Sequence, residues 1–158
     1  MVKKTREAFT WIIKILRKSK IPYWITGGFA ARIYGSKRPL ADIDIEVHDK
    51  DIDRITPLVK KYILRGPLNY KDSQYDIYAL FIEYHGQKID VCGTDSQRLF
   101  NKKIKKWEKE NRNLRKAIKK KIYGLLVSVV PLKDLINYKK RMSRRVDIED
   151  VKQLTKST

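Results

Sequence analysis

Three aspartates carry the chemistry that this sequence suggests most directly. Asp42 and Asp44 alternate with isoleucines, so in a strand the two carboxylates share one face while the isoleucines point into a core. Asp90 lies in a second apolar run, Lys88–Cys92. If that run forms a neighbouring strand, Asp90 joins the other two in an oxygen-rich cluster. Mg²⁺ prefers such a cluster when it also holds substrate phosphates.

A pair of glycines precedes the first two aspartates. Gly27 and Gly28 follow a short apolar run at 23–26, which predicts a strand, and precede residues 29–34, which predict a helix that ends at Gly35. Paired glycines at such a turn let the backbone come close to a ligand, and the start of a helix offers free N–H groups to phosphate oxygens. We therefore expect a phosphate-binding turn beside the carboxylates.

Together these residues resemble the nucleotidyltransferase superfamily that includes DNA polymerase β and the aminoglycoside nucleotidyltransferases. The chain is similar to the small, minimal members of that superfamily. The match covers about residues 21–93, and a weaker similarity continues over residues 131–154. The motifs that carry the resemblance are Thr26-Gly27-Gly28, Ser36, Arg38, Asp42-Ile43-Asp44-Ile45 and Asp90.

The resemblance implies a metal-dependent transfer of a nucleoside monophosphate from a nucleoside triphosphate to a hydroxyl. In that reaction Asp42 and Asp44 bind Mg²⁺ or Mn²⁺, and Asp90 is the remaining ligand, close enough to the acceptor hydroxyl to help remove its proton. The three aspartates are thus predicted to be both the catalytic residues and the metal ligands. The simpler alternative is that Asp42 and Asp44 lie on the solvent-exposed face of an edge strand and have no catalytic role.

The same resemblance implies a set of nucleotide contacts. Gly27 and Gly28 shape the triphosphate cradle, and Ser36 and Arg38 contact phosphate from the loop that returns to the strand. Lys139 stands on a C-terminal helix where similar proteins place a basic nucleotide contact. One position departs from the family pattern, because many relatives have threonine two residues before the first aspartate and this chain has leucine.

The predicted fold class is α+β, with a small, mixed, twisted sheet flanked by helices. The elements predicted are helices from Thr5 to about 20, from 56 to about 64, over 131–140 and over 147–154, and strands over 23–26, 42–47, 77–84, 87–92 and 123–130. Residues 1–95 are predicted to form the nucleotidyltransferase core. Residues 96–158 are predicted to form a basic, mainly helical extension packed on that core.

The charge of the chain is strongly unbalanced. It has 37 basic and 18 acidic residues in 158, a formal net charge of +19. Twelve basic and two acidic residues fall between 98 and 121, a segment predicted to be helical. An excess of this size favours a polyanionic partner, nucleic acid first. A lysine-rich surface of the kind found in proteins from hot environments is the alternative.

Several classes of protein are disfavoured by composition. Cys92 is the one cysteine, so there is no disulfide framework or cysteine-rich zinc site, and its neighbours suggest a buried, small apolar residue. No run is long enough for a membrane span, and charge follows the first residues too soon for a signal peptide. A cytoplasmic protein without membrane contact is the expected class.

Two functions remain open from the sequence. The first is a nucleotidyltransferase with an unknown hydroxyl acceptor, for which the charge favours RNA, tRNA included, and which allows an antitoxin-type protein partner. A basic surface should repel a polycationic aminoglycoside unless acidic residues at the site reverse the local charge. The second is a non-catalytic nucleic-acid-binding protein that retains the fold. Intact Asp42, Asp44 and Asp90 argue against it, since carboxylates without metal would repel a phosphate backbone.

Overall fold

The computed structural model describes residues 2–156, which form one mixed sheet with helices. The α-helices are α1 (Lys3–Lys18), α2 (Gly27–Ile33), α3 (Asp49–Ile55), α4 (Leu132–Met142) and α5 (Arg145–Lys156). Two 3₁₀ helices cover Thr56–Tyr62 and Leu114–Lys116. The strands are β1 (Tyr23–Thr26), β2 (Asp42–Val47), β3 (Ile63–Lys71), β4 (Tyr75–Tyr84), β5 (Gln87–Gly93), β6 (Arg98–Asn101), β7 (Lys106–Lys109), β8 (Ile118–Ile122) and β9 (Leu125–Val129).

The nine strands form a single sheet that confirms the predicted α+β class. Their order is β7-β6-β4-β5-β2-β1-β9-β8, and β3 pairs with β4 outside this path. β2 lies at the centre, antiparallel to β1 and parallel to β5. The parallel pairing brings the strand that carries Asp90 beside the strand that carries Asp42 and Asp44.

The helix-covered face of the sheet contains the main core. Apolar residues recur along α1 at helical spacing, and its buried side consists of Ala8, Phe9, Ile12, Ile13 and Leu16. These side chains belong to the same buried cluster as the isoleucines of β1 and β2. The isoleucines of β2 therefore point toward α1, and its aspartates point to the opposite face.

The prediction that residues 98–121 are helical is wrong. They form β6, β7, a short 3₁₀ helix and most of β8. β6 and β7 extend the sheet beyond β4, while β8 pairs with β9 at the other end. Residues 98–129 thus complete both ends of the sheet, and the helical part of the predicted extension is formed by α4 and α5.

The remaining elements largely follow the sequence. α1, β1, α2, β2, the β4–β5 hairpin, β9 and the last two helices lie where the spacing predicts them. The helix predicted from 56 to 64 is a 3₁₀ helix that ends at Tyr62, and it follows α3, which was not predicted. β3 was not predicted either. Within the described chain no helix combines the length and the apolarity needed to cross a membrane.

Candidate active site

The three aspartates lie on one face of the two central parallel strands. Asp44 and Asp90 are direct partners in the β2–β5 register, and Asp42 precedes Asp44 by one strand repeat. All three line a cavity of about 430 Å³. Within residues 2–156 their side chains accept no hydrogen bond and form no ion pair, although cations lie nearby. The protein itself therefore leaves three carboxylates in this cavity uncompensated.

Burial and repulsion between carboxylates change how Asp44 and Asp90 titrate. Burial, followed by repulsion from Asp90 and Asp42, raises the pKa of Asp44 to about 8. Burial and repulsion from Asp42 raise the pKa of Asp90 to about 6. A cluster whose ionised form is this unfavourable alone is one that a bound cation would stabilise.

The carboxylates are not arranged as a finished metal site. Among the described residues, no three His, Cys, Asp or Glu side chains are placed so that they could hold a metal ion together. The donor chemistry nonetheless fits a hard divalent cation, because three unpaired carboxylates share one cavity. Thr26 is the register partner of Asp44, and its hydroxyl is also buried without a hydrogen-bond partner among residues 2–156.

The glycine turn lies directly against these carboxylates. Gly27 begins α2 with a φ of +64°, and a Cβ built on it would clash with the Asp44 carboxylate. A Cβ on Gly28 would stand 2.8 Å from Nη2 of Arg38. The two glycines therefore leave the space that Asp44 and Arg38 occupy at the cavity wall, and both glycines line the cavity.

Ser36 and Arg38 meet an acidic partner that the sequence did not indicate. The Ser36 hydroxyl donates to Oδ1 of Asp150 at 2.8 Å, and the Arg38 guanidinium donates to both oxygens of the same carboxylate at 3.0 and 2.9 Å. Ser36 is buried and is not part of the cavity lining, whereas Arg38 is. A contact between Ser36 and phosphate stays a prediction, and it would require this hydrogen bond to be exchanged.

Lys139 is also tied to buried acids. Its side chain is 1% exposed, and its Nζ lies 2.9 Å from Asp150 and 3.4 Å from Asp147. Burial alone would raise the pKa of Asp150, but hydrogen bonds from Arg38 and Lys139 outweigh burial and hold it below its usual value. Lys139 reaches the cavity wall, so a nucleotide contact there stays a prediction.

The structure adds cavity residues that sequence reasoning missed. Arg144 pairs with Asp147 at 2.6 Å, and its guanidinium lies 5.6 Å from the centre of the Tyr75 ring. Tyr75 and Tyr138 share a hydrogen bond of 2.9 Å between their hydroxyls. Further lining residues missed from the sequence are Tyr70, Asp72, Ile77, Phe81, Gln97 and Arg112. Most come from strands or loops distant in sequence, and no local pattern marked them.

Two residues of the central strands extend the acidic face deeper into the cavity. Glu46 continues the row of Asp42 and Asp44, is buried, and accepts hydrogen bonds from Trp24 at 2.6 Å and Gln97 at 2.8 Å. Cys92 follows Asp90 by one strand repeat and lines the same cavity. It is therefore a cavity residue and not the buried core residue that its neighbours suggested. Burial raises the pKa of its thiol.

A mixed sheet with a diglycine turn beside three carboxylates on its central strands defines a class, the nucleotidyltransferases. This chain belongs to the aminoglycoside-2''-adenylyltransferase family, whose family model matches residues 9–154. It is therefore a nucleotidyltransferase by family, as the motifs indicated. A comparison with curated protein sequences finds no match.

Solved structures with similar folds belong to the same class of enzyme. A candidate nucleotidyltransferase of Thermotoga maritima, TM1012, is 16% identical, with a TM-score of 0.75 over 100% of this chain and 97% of its own. The lincosamide antibiotic adenylyltransferase LnuA, solved with lincomycin, is 13% identical, and its TM-score is 0.61 over 96% of this chain and 97% of LnuA. ANT(2'')-Ia, solved with adenylyl-2''-tobramycin, is 16% identical, and its TM-score is 0.59 over 96% of this chain and 87% of ANT(2'')-Ia. At these identities the likeness establishes the fold.

Proposed function

We propose that this protein transfers the adenylyl group of ATP to a hydroxyl of an acceptor molecule, with Mg²⁺ or Mn²⁺ bound by Asp42, Asp44 and Asp90. One observation carries the proposal: three carboxylates without protein partners line a cavity beside Gly27. The family supports ATP as the nucleotide, because its description is that of an adenylyltransferase.

In this reaction the acceptor oxygen attacks the α-phosphorus, a new P–O bond forms, and the bond to the β-phosphate oxygen breaks to release pyrophosphate. A divalent cation, when bound, neutralises negative charge that gathers on the phosphoryl oxygens. Asp90 receives the proton of the acceptor hydroxyl. A carboxylate with a pKa of about 6 is ionised at neutral pH yet more basic than an ordinary aspartate, and a bound cation would lower its pKa.

The cations of the cavity wall would act on the nucleotide through fixed positions. Arg38, Lys139 and Arg144 are each held by Asp147 or Asp150, so their side chains lose little freedom when phosphate arrives. Gly27 and Gly28 give Asp44 and Arg38 the space that these side chains occupy beside the turn, so both groups can lie against the triphosphate site. The Thr26 hydroxyl, buried and unpaired, is free to donate to an oxygen in this space.

The charge balance of the cavity bears on the acceptor. Each of its four basic side chains lies within ion-pair distance of a buried acid: Arg38, Arg112, Lys139 and Arg144. The unpaired charges of the cavity are therefore those of the three aspartates, which a bound metal would neutralise, so the positive charge of the whole chain does not extend into the cavity and gives no reason to exclude a cationic acceptor. A hydroxyl-bearing small molecule with amino groups is accordingly the first candidate acceptor.

RNA is the second candidate acceptor, and one feature of the surface favours it. Lys119 and Lys121 are exposed on β8, and the strand register places them on the same face of the sheet as Glu46 and the aspartates. From β2 to β8 is three strand spacings, about 14 Å. A phosphate backbone held there could present its terminal hydroxyl to the cavity. An antitoxin-type partner protein stays a prediction from the sequence.

The test uses ATP labelled at the α-phosphate, with Mg²⁺ or Mn²⁺ and three separate acceptors: tobramycin, lincomycin and pooled cellular RNA. We expect transfer to one acceptor by the wild type and a loss of roughly 100-fold or more in Asp42→Ala. Asp53→Ala is the matched control, because Asp53 is an exposed acid on α3, outside the cavity. Transfer at equal rates by wild type and Asp42→Ala would overturn the assignment. RNA binding that persists in Asp42→Ala with no transfer by either protein would favour the non-catalytic alternative.

A further inference from the structure

Arg112 separates two cavities on the active-site face of the sheet. It lies between β7 and the 3₁₀ helix at Leu114–Lys116, and its side chain is 5% exposed. It lines the cavity of the three aspartates and also a second, polar cavity of about 160 Å³. Trp24, Asn113, Asp134 and Asn137 are among the residues around the second cavity.

This buried guanidinium has charge partners but no hydrogen bonds. Its Nε lies 3.2 Å from Glu110 and 3.7 Å from Glu46, yet within the described residues this buried atom has no hydrogen-bond partner. Its Nη atoms donate no hydrogen bond there either. An arginine has five N–H donors, and none of those of Arg112 forms a hydrogen bond of good geometry with the described residues, although the side chain is only 5% exposed.

The neighbouring acids are already committed to other donors. Glu46 accepts from Trp24 and Gln97, and both oxygens of Glu110 accept from Arg141. Arg112 is held instead over the Tyr138 ring, with its Cζ 4.9 Å from the ring centre. Its position is therefore fixed by charge and stacking, while its donors remain available.

We propose that Arg112 binds the acceptor substrate, donating through its unused N–H groups to hydroxyl, carbonyl or ring oxygens. The inference rests on the proposed function, and it assigns the acceptor to the end of the cavity formed by Glu46, Gln97, Arg112 and Tyr138, here called the Arg112 pocket. Glu46 stands one strand repeat, about 7 Å, beyond Asp44 on β2. The Arg112 pocket thus adjoins the reaction centre without overlapping the glycine turn.

The local charge selects a neutral group for this position. Within the pocket Glu46 balances Arg112, and the adjacent Glu110 is paired with Arg141, so the pocket carries no net positive charge. A phosphate or carboxylate would meet two glutamates at close range, whereas a neutral oxygen accepts from the guanidinium without that repulsion. The base of the nucleotide also carries such atoms, so the experiment must separate the two sources.

The first measurement follows the Nε–Hε NMR signal of Arg112 in the full chain, assigned with Arg112→Lys. Glucose serves as the neutral hydroxyl-bearing probe, tobramycin as the amino-sugar probe and inorganic phosphate as the anionic probe, each with saturating ATP and Ca²⁺ to prevent turnover. We expect glucose or tobramycin to shift the Arg112 signal, and phosphate to leave it in place. A signal that neither glucose nor tobramycin shifts overturns the proposal, as does a shift caused by the nucleotide alone.

The second measurement compares Arg112→Met with Arg115→Met, which replaces an exposed arginine three residues away. With the acceptor that wild type uses, we expect Arg112→Met to raise the acceptor KM at least tenfold and to leave the ATP KM within twofold. Arg112→Lys should restore part of the loss. Equal losses for ATP and acceptor would indicate a merely structural arginine. If glucose or tobramycin shifts the NMR signal of Arg112 while no acceptor is adenylylated, the proposed adenylyl transfer is wrong and the proposed binding site at Arg112 is supported.

Discussion

Asp44 is a residue whose ionised form the structure strongly disfavours. Burial and the neighbouring carboxylates raise its pKa from 3.8 to about 8, so the folded protein binds this proton more tightly than the unfolded chain does. Stability from this group is therefore complete below about pH 4 and is lost as the pH rises toward 8. Asp90, whose pKa is raised to about 6, likewise contributes stability at low pH that is lost as the pH rises toward 6.

Asp44→Asn should accordingly stabilise the metal-free protein at alkaline pH. In EDTA at pH 8 we expect the free energy of unfolding to rise by roughly 1–3 kcal/mol, discounted for partial solvent access, with little change at pH 4. Urea unfolding at a series of pH values measures this. Asp53→Asn changes the same charge outside the cavity and should leave the profile between pH 4 and pH 8 as in wild type, because the Asp53 partner Tyr78 titrates only at higher pH. If the free energy of unfolding of Asp44→Asn depends on pH as that of the wild type does, Asp44 is not the group whose pKa burial raises.

Gly27 offers a second prediction at single-residue scale, with an internal control. Gly27 and Gly124 both have positive φ, +64° and +78°, so alanine strains the backbone at either position. A Cβ at 27 additionally clashes with the Asp44 carboxylate, whereas one at 124 meets nothing within 4 Å. We expect Gly27→Ala to reduce transfer by at least roughly tenfold more than Gly124→Ala, since misplacing a reactive group by about 1 Å costs about 100-fold.

Steady-state rates of both variants, measured on protein shown to be folded by circular dichroism, test this comparison. The thermal midpoint of each variant separates the shared backbone strain from the clash that is specific to position 27. Similar rates in the two variants would show that Asp44 moves freely, and that the glycine is required only for its backbone conformation.

At the scale of elements, one carboxylate joins three parts of the chain. Asp150 on α5 accepts from Ser36 and Arg38, in the loop between α2 and β2, and pairs with Lys139 on α4. Its side chain is fully buried. This network holds the two C-terminal helices against the loop that leads into the strand of the aspartates.

Removal of that charge should loosen the whole arrangement. We expect Asp150→Asn to destabilise the fold by about 2–4 kcal/mol, because it leaves Arg38 and Lys139 buried with one acid fewer. Glu149→Gln is the control, since Glu149 is exposed on the same helix and should change stability by less than about 0.5 kcal/mol. Chemical denaturation measures both. Equal effects would show that helix propensity, and not the buried network, dominates at this position.

The elements also show where sequence reasoning succeeds and where it fails. β2 has its predicted bounds because isoleucines alternate with acids, a pattern that only a strand separates into two faces. β6 and β7 were mistaken for helix because each has only four residues and lies in a strongly basic segment. β7, at the edge of the sheet, contains two of the lysines of that segment, which exposed edge strands tolerate. The pairing of β6 with β7 depends on a cross-strand contact between Phe100 and Trp107, with ring centres 5.7 Å apart.

The site divides in the same way. The aspartates and glycines could be found from the sequence because each lies in a short local motif. Arg38 and Asp150 are separated by 112 positions in the sequence, and Glu46 and Arg112 by 66 positions. No local spacing predicts contacts between residues so far apart. Ser36, Arg38 and Lys139 were predicted as nucleotide contacts from the family resemblance, and that stays a prediction, while their acidic partners emerge only from the fold.

At the scale of the whole molecule, a chain of net charge +19 surrounds a cavity whose unpaired charges are acidic. The exterior attracts polyanions, whereas the cavity attracts cations. The two acceptor classes therefore make opposite demands on the surface. Amino-sugar adenylylation needs the cavity alone, and RNA adenylylation needs lysines that direct the strand toward it.

Salt dependence of RNA binding distinguishes directed from diffuse attraction. If Lys119 and Lys121 hold the backbone, the double change to glutamine should lower the slope of log K against log salt by about 0.7 for each lost phosphate contact. The control is the double change of Lys60 and Lys61, exposed on the 3₁₀ helix whose Tyr62 packs on Trp11 of α1, across the sheet from the aspartates.

Fluorescence anisotropy with a single-stranded RNA, over a salt series, measures both slopes. We expect the β8 variant alone to lose slope, and to lose any RNA adenylylation in parallel, because both depend on phosphates held on the face of the carboxylates. If both variants reduce the salt dependence of RNA binding equally, the lysines attract RNA through the net charge of the surface and not through a particular site. RNA would then reach the cavity no more often than any other part of the surface, and a small cationic acceptor would be favoured.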